Sequence, residues 1–216
     1  MAGVGEILLL IFEGVGQTFG LRAGTEQPRY TVVEQVGSVE IRRYAPRIAA
    51  ETTVTGPEEA ARNAGFRRVA AYIFGANQAK AGVAMTAPVA QGRAAETIAM
   101  TSPVAQANAG ADGWVVQFFM PAKYTLATLP TPSDPSVRLT ALPAQDFAVL
   151  RFTGARGPKA VGTQSRTLQA ALSASLWRAT ARPTAWFYDP PWTLPLLRRN
   201  EVAAPVTKAG PASPHR

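Results

Sequence analysis

The chain writes one order of secondary-structure signals twice, and that order leaves few folds open. From Tyr30, alternating apolar and polar residues read as strands over Tyr30–Val36, Val39–Tyr44 and 48–54, punctuated by Gly37-Ser38 and Pro46. Thr55-Gly56-Pro57-Glu58-Glu59 then opens a helix expected to reach about Gly75, because proline suits the first turn and acids suit its positive end. Strands return at two copies of the word MTxPV and at 114–120, a loop follows at 130–135, and strands resume at 137–142 and 147–154. Gly157-Pro158 opens a second helix with Val161, Leu168, Leu172 and Leu176 on one face, and strands at 184–188 and 200–206 close the pattern. Strands, helix, strands, repeated over two halves, argue for an α+β fold with an antiparallel sheet. No linker rich in proline and glycine divides the halves, so one domain is expected over residues 28–206.

The repeated word is MTAPV at 85–89 and MTSPV at 100–104. A hairpin turning at Gly92–Ala95 would set Met85 opposite Ser102 and Ala87 opposite Met100. Period-two alternation then puts Met85 and Met100 on one face and Thr86 and Thr101 on the other. Pro88 and Pro103 donate no ladder hydrogen bond, so each arm bends or lies at an edge there. Met85, Met100 and Met120 either fill a core or line an adaptable apolar surface, which thioethers suit equally well.

Composition removes several chemistries. The chain has no cysteine, so disulfides, thiolate metal sites and cysteine nucleophiles are excluded. Its one histidine is His215, in a proline- and alanine-rich tail at 207–216 that is expected to be disordered. Histidine-based acid–base catalysis and a histidine-rich zinc site are therefore not expected in the folded part. The net charge of +8 arises from scattered arginines without a long basic run, so no nucleic-acid partner is expected. Residues 1–20 contain an apolar run, 7–12, too short to span a bilayer and lacking a basic leader. The spacing of Ile7, Leu8, Ile11, Val15 and Phe19 predicts an amphipathic helix, docking on the body, on a partner, or through residues 5–19 on a membrane surface. The expected compartment is the cytoplasm, and the residues set no oligomeric state.

On the first helix, Phe66, Val69 and Ile73 form one apolar stripe at 100° per residue, and Arg62 falls on it one turn earlier. Arg62 either pairs with a carboxylate at a pocket rim or covers apolar surface with its stem while its head reaches water. Arg67 and Arg68 read as solvated charges. The acids Glu34, Glu40, Glu51, Asp146 and Glu201 are scattered along strand segments and form no clear acid–base pair; Glu201 reads as a partner for a neighbouring arginine.

Several words in this order resemble the SOUL family of heme-binding proteins: Val39-Glu40-Ile41-Arg42-Arg43-Tyr44, GFRRVAAYIFGAN at 65–77, the paired MTAPV and MTSPV, Phe119-Met120-Pro121 with Tyr124, and YDPPWTLPLLRRNEV at 188–202. The resemblance implies two βαββ-like halves forming a distorted antiparallel β-barrel flanked by two helices. It implies binding of heme or another tetrapyrrole in an apolar groove beside the first helix, without enzymatic turnover, as a carrier or buffer. The heme-contacting set it suggests here is Arg62, Phe66, Val69, Tyr72, Ile73, Met85 and Met100. Arg62 matches a propionate-facing position if one residue is inserted near Gly65-Phe66, and the second such position falls on Ala71, with Arg67 or Arg68 as substitutes. Some members are thought to ligate iron with histidine; here Met85, Met100 and Tyr72 are the weak axial candidates, and no metal site is expected. The alternatives are a general binder of amphipathic ligands and a membrane-surface or partner-binding module of the same fold.

Overall fold

Strand β1 (Tyr30–Val36) and strand β2 (Val39–Tyr44) form where the alternation places them, turning at Gly37-Ser38. The computed structural model of the protein describes residues 25–79, 96–110, 113–190 and 192–209. Within these residues β3 (Arg47–Thr55) leads to α1 (Glu58–Ile73), then β4 (Asn77–Gln78), β5 (Val104–Gly110), β6 (Gly113–Phe119), β7 (Thr131–Pro132), β8 (Arg138–Leu142) and β9 (Gln145–Phe152). Helix α2 (Pro158–Ser173) follows, with β10 (Trp177–Ala179), β11 (Thr184–Phe187), a 3₁₀ turn (Pro195–Leu197) and β12 (Asn200–Lys208). The described chain is α+β, with antiparallel sheet pairings and two α-helices. The expected N-terminal amphipathic helix in 1–20, its membrane contact through 5–19, Met85 with the first MTxPV arm, and His215 all lie outside the described residues.

The elements fall into two units, one built from residues 30–44 and 145 onward, the other from 26–29 and 45–144. In the first, β1, β2, β9, β12 and β11 pair in that order, all antiparallel, and β10 pairs with the far end of β12. Alternation sorts the side chains. Val39, Ile41, Ala148, Leu150, Val202 and Ala204 share a core with Leu168 and Leu172 of α2, while Arg42, Tyr44, Phe147 and Glu201 occupy the alternate positions. Leu176, read as part of the buried helical stripe, lies past the helix end and is exposed, because Ser175 turns the chain by donating to the Leu172 carbonyl and accepting the Trp177 N–H. Strand β12 runs to Lys208, beyond the expected 206, since Trp177 pairs opposite Lys208 and the ammonium reaches Glu34 at 2.9 Å.

In the second unit β5, β6, β3 and β8 pair in that order, again antiparallel, and β4 forms a separate two-residue ladder with β7, which lies inside the expected 130–135 loop. Helix α1 lies on the face carrying Ala50, Val116 and Phe118 and buries Val69, Tyr72 and Ile73 there. Gly65 makes this approach feasible: a Cβ on it would sit 2.6 Å from Cγ2 of Val116. The helix stops at Ile73 rather than Gly75, because Gly75 takes a left-handed φ of 114° that ends the run. Of the second MTxPV word only Val104 lies in a strand; Thr101 bridges in parallel to Glu26, and its hydroxyl donates to the Phe119 carbonyl. Among the described residues no helix is long and apolar enough to cross a membrane.

Candidate functional site

The two faces of α1 have opposite characters. Its inner face takes Val69, Tyr72 and Ile73 into the core together with Ile98, Val116 and Phe118. Arg62 continues that inner stripe and is only 5% exposed, so its head does not reach open water. The guanidinium Nη1 donates to Oε1 of Gln106 at 3.4 Å, Nη2 lies 3.7 Å from Glu59, and burial pushes its pKa down. Gln106 in turn donates to the Glu58 carbonyl at 2.8 Å, so Arg62 fastens the first turn of α1 to β5. The Tyr72 hydroxyl donates to the Pro130 carbonyl at 3.0 Å, and burial raises its pKa. A phenol so placed holds its proton and presents no oxygen to a ligand.

The outer face of α1 is different. Phe66 and Phe74 are 39% and 60% exposed, two turns apart, with Arg67 exposed and the buried Ala70 between them. Phe66 leans on Phe118 with ring centroids 5.2 Å apart. Along the flank of the helix runs the segment carrying Met100: Ile98 donates its N–H to the Ile73 carbonyl at 2.8 Å, and Met100, two residues on, is exposed. Asn77 pins this segment, donating to the carbonyls of Tyr72 and Glu96 at 2.7 Å and accepting the Glu96 N–H at 2.9 Å. Of the seven expected contact residues, Phe66 and Met100 are thus presented outward, Arg62, Val69, Tyr72 and Ile73 face the core, and Met85 lies outside the described residues. Phe74 escaped the sequence reading because it closes the helix, one residue past the periodic run; its place four residues after Ala70 was the available signal.

Two recesses flank the same unit. One, of about 390 Å³, opens beside Arg67, Arg68, Ala71 and Asp134. The other, of about 420 Å³, has largely apolar walls from Ile48, Phe119, Met120, Pro121, Leu126 and Leu142, with Arg29, Arg47 and Glu26 also lining it. The Arg47 guanidinium carbon lies 5.1 Å from the Phe119 ring centroid. Among the described residues no group of three or more histidine, cysteine, aspartate or glutamate side chains is placed to hold a metal ion.

The pattern of the SOUL heme-binding protein family matches residues 25–205, which takes in both units. The chain belongs to the SOUL family. No curated protein matches it. Among solved structures, the C-terminal domain of EcmrR superposes with a TM-score of 0.56 at 11% identity, covering 83% of this chain and 99% of that one. EcmrR in its DNA complex gives 0.54 at 12% identity, covering 94% of this chain and 65% of that one. A hydrolase from Listeria innocua gives 0.49 at 9% identity, covering 86% and 94%. At these identities the EcmrR likeness is one of fold.

The SOUL words divide between structure and surface. YDPP and RRNE meet in one buried cluster of the first unit: Glu201, fully buried, accepts from Arg42 Nη1 at 3.1 Å, from Arg199 Nη2 at 2.7 Å and from the Tyr188 hydroxyl at 2.6 Å. The Asp189 carboxylate accepts the Arg199 N–H at 2.6 Å, and the Arg199 guanidinium covers the Tyr188 ring at 3.9 Å. Each of the five scattered acids sits in an ion pair: Glu34 with Lys208, Glu40 with Arg42, Glu51 with Arg138, Asp146 with Arg43, and Glu201 with Arg42 and Arg199. GFRRVAAYIFGAN builds the two-faced helix, with its asparagine closing the helix end. For iron, the exposed Met100 thioether is a weak donor, and the Tyr124 hydroxyl is engaged by Glu96 at 2.7 Å with its pKa pushed up to about 12 by burial and that carboxylate.

Proposed function

We propose that this SOUL protein binds heme or a related tetrapyrrole, without catalytic turnover, on the outer face of α1. The carrying observation is the exposure of Phe66 and Phe74 on one helix, with Arg67 between them in sequence and the exposed Met100 on the segment that Ile98 ties to the helix end. A flat macrocycle laid on those side chains covers apolar surface, and Arg67 is placed for a propionate. Each large apolar side chain so covered contributes up to about 1.5–3 kcal/mol. A rim arginine–carboxylate pair contributes roughly 0–1 kcal/mol. Shape and apolar area therefore set the affinity, with arginine choosing orientation and Met100 at most a weak ligand to iron.

The test is an absorption titration with monodisperse hemin, paired with a fluorescence titration using protoporphyrin. Saturable one-to-one binding of both, within about tenfold of each other, is expected. Phe66→Ala with Phe74→Ala should weaken both by about tenfold or more, while Arg62→Ala changes them by less than tenfold, since its guanidinium is engaged with Gln106 and Glu59. Absence of saturable binding would overturn the reading. A hundredfold preference for hemin would replace it with iron ligation.

A second reading, a binder of smaller amphipathic anions, draws on the 420 Å³ apolar recess with Arg29 and Arg47 in its lining. Dodecanoate binding lost on Arg47→Gln, yet indifferent to Phe66→Ala, would favour it.

A further inference from the structure

The first unit carries an apolar surface that the tetrapyrrole reading leaves unused. Trp192, Leu194, Leu196 and Leu197 are all exposed, within the stretch joining β11 to β12. Leu196 is 83% exposed and Trp192 60%. So many large apolar side chains turned outward in so short a stretch is uncommon for a surface that faces only water.

The loop presenting them is held firmly. Thr193 is fully buried beneath it, and its N–H donates to the Pro190 carbonyl at 3.2 Å. Arg198 Nε donates to the Thr193 carbonyl at 2.7 Å, and Leu197 N–H to the Leu194 carbonyl at 2.9 Å. Gly154 N–H donates to the Pro195 carbonyl at 2.9 Å, which sets the loop beside the start of α2. The ordering cost of presenting these side chains is therefore already met on folding.

The charge around the loop has one sign. Residues 153–160 contribute Arg156 and Lys159 and no acid. Residues 189–199 contribute Arg198 and a single acid, Asp189, which is buried; Arg199 in the same stretch is already paired with the buried Glu201 and adds no surface cation. A rigid tip of tryptophan and leucines, collared by arginine and lysine, matches the boundary of a bilayer bearing anionic headgroups. There the leucines enter the acyl region, the indole sits at the headgroup level and the cations meet phosphate. We propose that the tip formed by Trp192, Leu194, Leu196 and Leu197 docks the protein on anionic lipid membranes.

The experiment uses the full chain with vesicles of phosphatidylcholine containing phosphatidylserine, read by co-sedimentation and by quenching of tryptophan emission with brominated lipid. Trp177 and Trp186 are buried and Trp114 is partly buried, in the other unit, so Trp192, 60% exposed, should dominate the lipid-accessible signal. Wild type should bind at low salt with quenching that vanishes in Trp192→Phe. Trp192→Ser with Leu196→Ser should cut the partition coefficient about tenfold while leaving the circular dichroism unchanged, both side chains being largely solvent-exposed. Failure to sediment with these vesicles would overturn the proposal. So would sedimentation unaltered in the double variant, which would move the contact elsewhere on the chain, or equal binding to pure phosphatidylcholine, which would remove the charge. A double variant that weakens hemin binding while vesicle binding is unchanged would instead assign the tip to the tetrapyrrole.

Discussion

Glu201 balances two arginines from inside the core. It is fully buried, and Arg42, Arg199 and Tyr188 all donate to it. Removing one member of a buried pair strands the others, at a cost of about 3–5 kcal/mol. Glu201→Gln should therefore lower unfolding free energy in urea by that much, and Tyr188→Phe, which removes one hydrogen bond to a charged group, by about 1.5–3 kcal/mol. The reverse ranking would mean that the arginines relax to solvent. Beside this cluster, burial pushes the Tyr44 phenol up to about 12, against the pull of Arg42, from an ordinary value of 10.0. The folded state keeps that proton where the unfolded chain has lost it. The Tyr44 contribution should be constant below pH 10 and be lost between pH 10 and 12, an amount on the order of 2–3 kcal/mol. Urea midpoints followed across that window, alongside phenolate absorbance, should show a shallower decline in Tyr44→Phe.

At the level of elements, α1 is fixed by its closest approach. A methyl on Gly65 would overlap Val116 on β6, so Gly65→Ala should destabilise by about 1–3 kcal/mol, and adding Val116→Ala should return part of the loss. Thermal melts of the two single variants and the double variant would show the coupling. Strands with clear alternation were legible: β1 and β2 lie where it puts them, β3, β6 and β11 differ from expectation by a residue at one end or both, and β9 is shifted by two, whereas the three-residue β10 was not anticipated. Helix starts were legible from Gly-Pro followed by periodic apolar residues, whereas helix ends were not, because Gly75 and Ser175 stop the helices through local geometry that periodicity does not encode. The candidate site was legible only in part. The stripe of Val69 and Ile73 was correctly found, but a stripe records which face is buried, and the core claims that face first, taking Arg62 with it. Phe66 belongs to that stripe and packs on Phe118 while staying 39% exposed, whereas Phe74, at the helix end and 60% exposed, gives no period to detect.

For the molecule as a whole, the net charge of +8 and the exposed phenylalanines of α1 should respond differently to salt. Raising ionic strength from 0.05 to 0.5 M shortens the screening length to a few ångströms, so adsorption to anionic surfaces should fall steeply. Hemin and protoporphyrin affinities should move by no more than a few-fold, because apolar contact dominates them. Parallel titrations at the two salt concentrations would reveal a purely electrostatic ligand site by a steep loss. The two units also differ in how they are threaded. One is drawn almost wholly from residues 45–144, the other from 30–44 together with everything from 145 on. On a ribosome this imposes a schedule. The β1–β2 hairpin emerges first, yet its partner β9 is translated about a hundred residues later, and β12, which pairs with β9, β10 and β11, is the last described strand to appear. The contiguous unit can gather its core while the nascent chain is still attached. The other leaves the β9 edge open until β12 is available to pair with it.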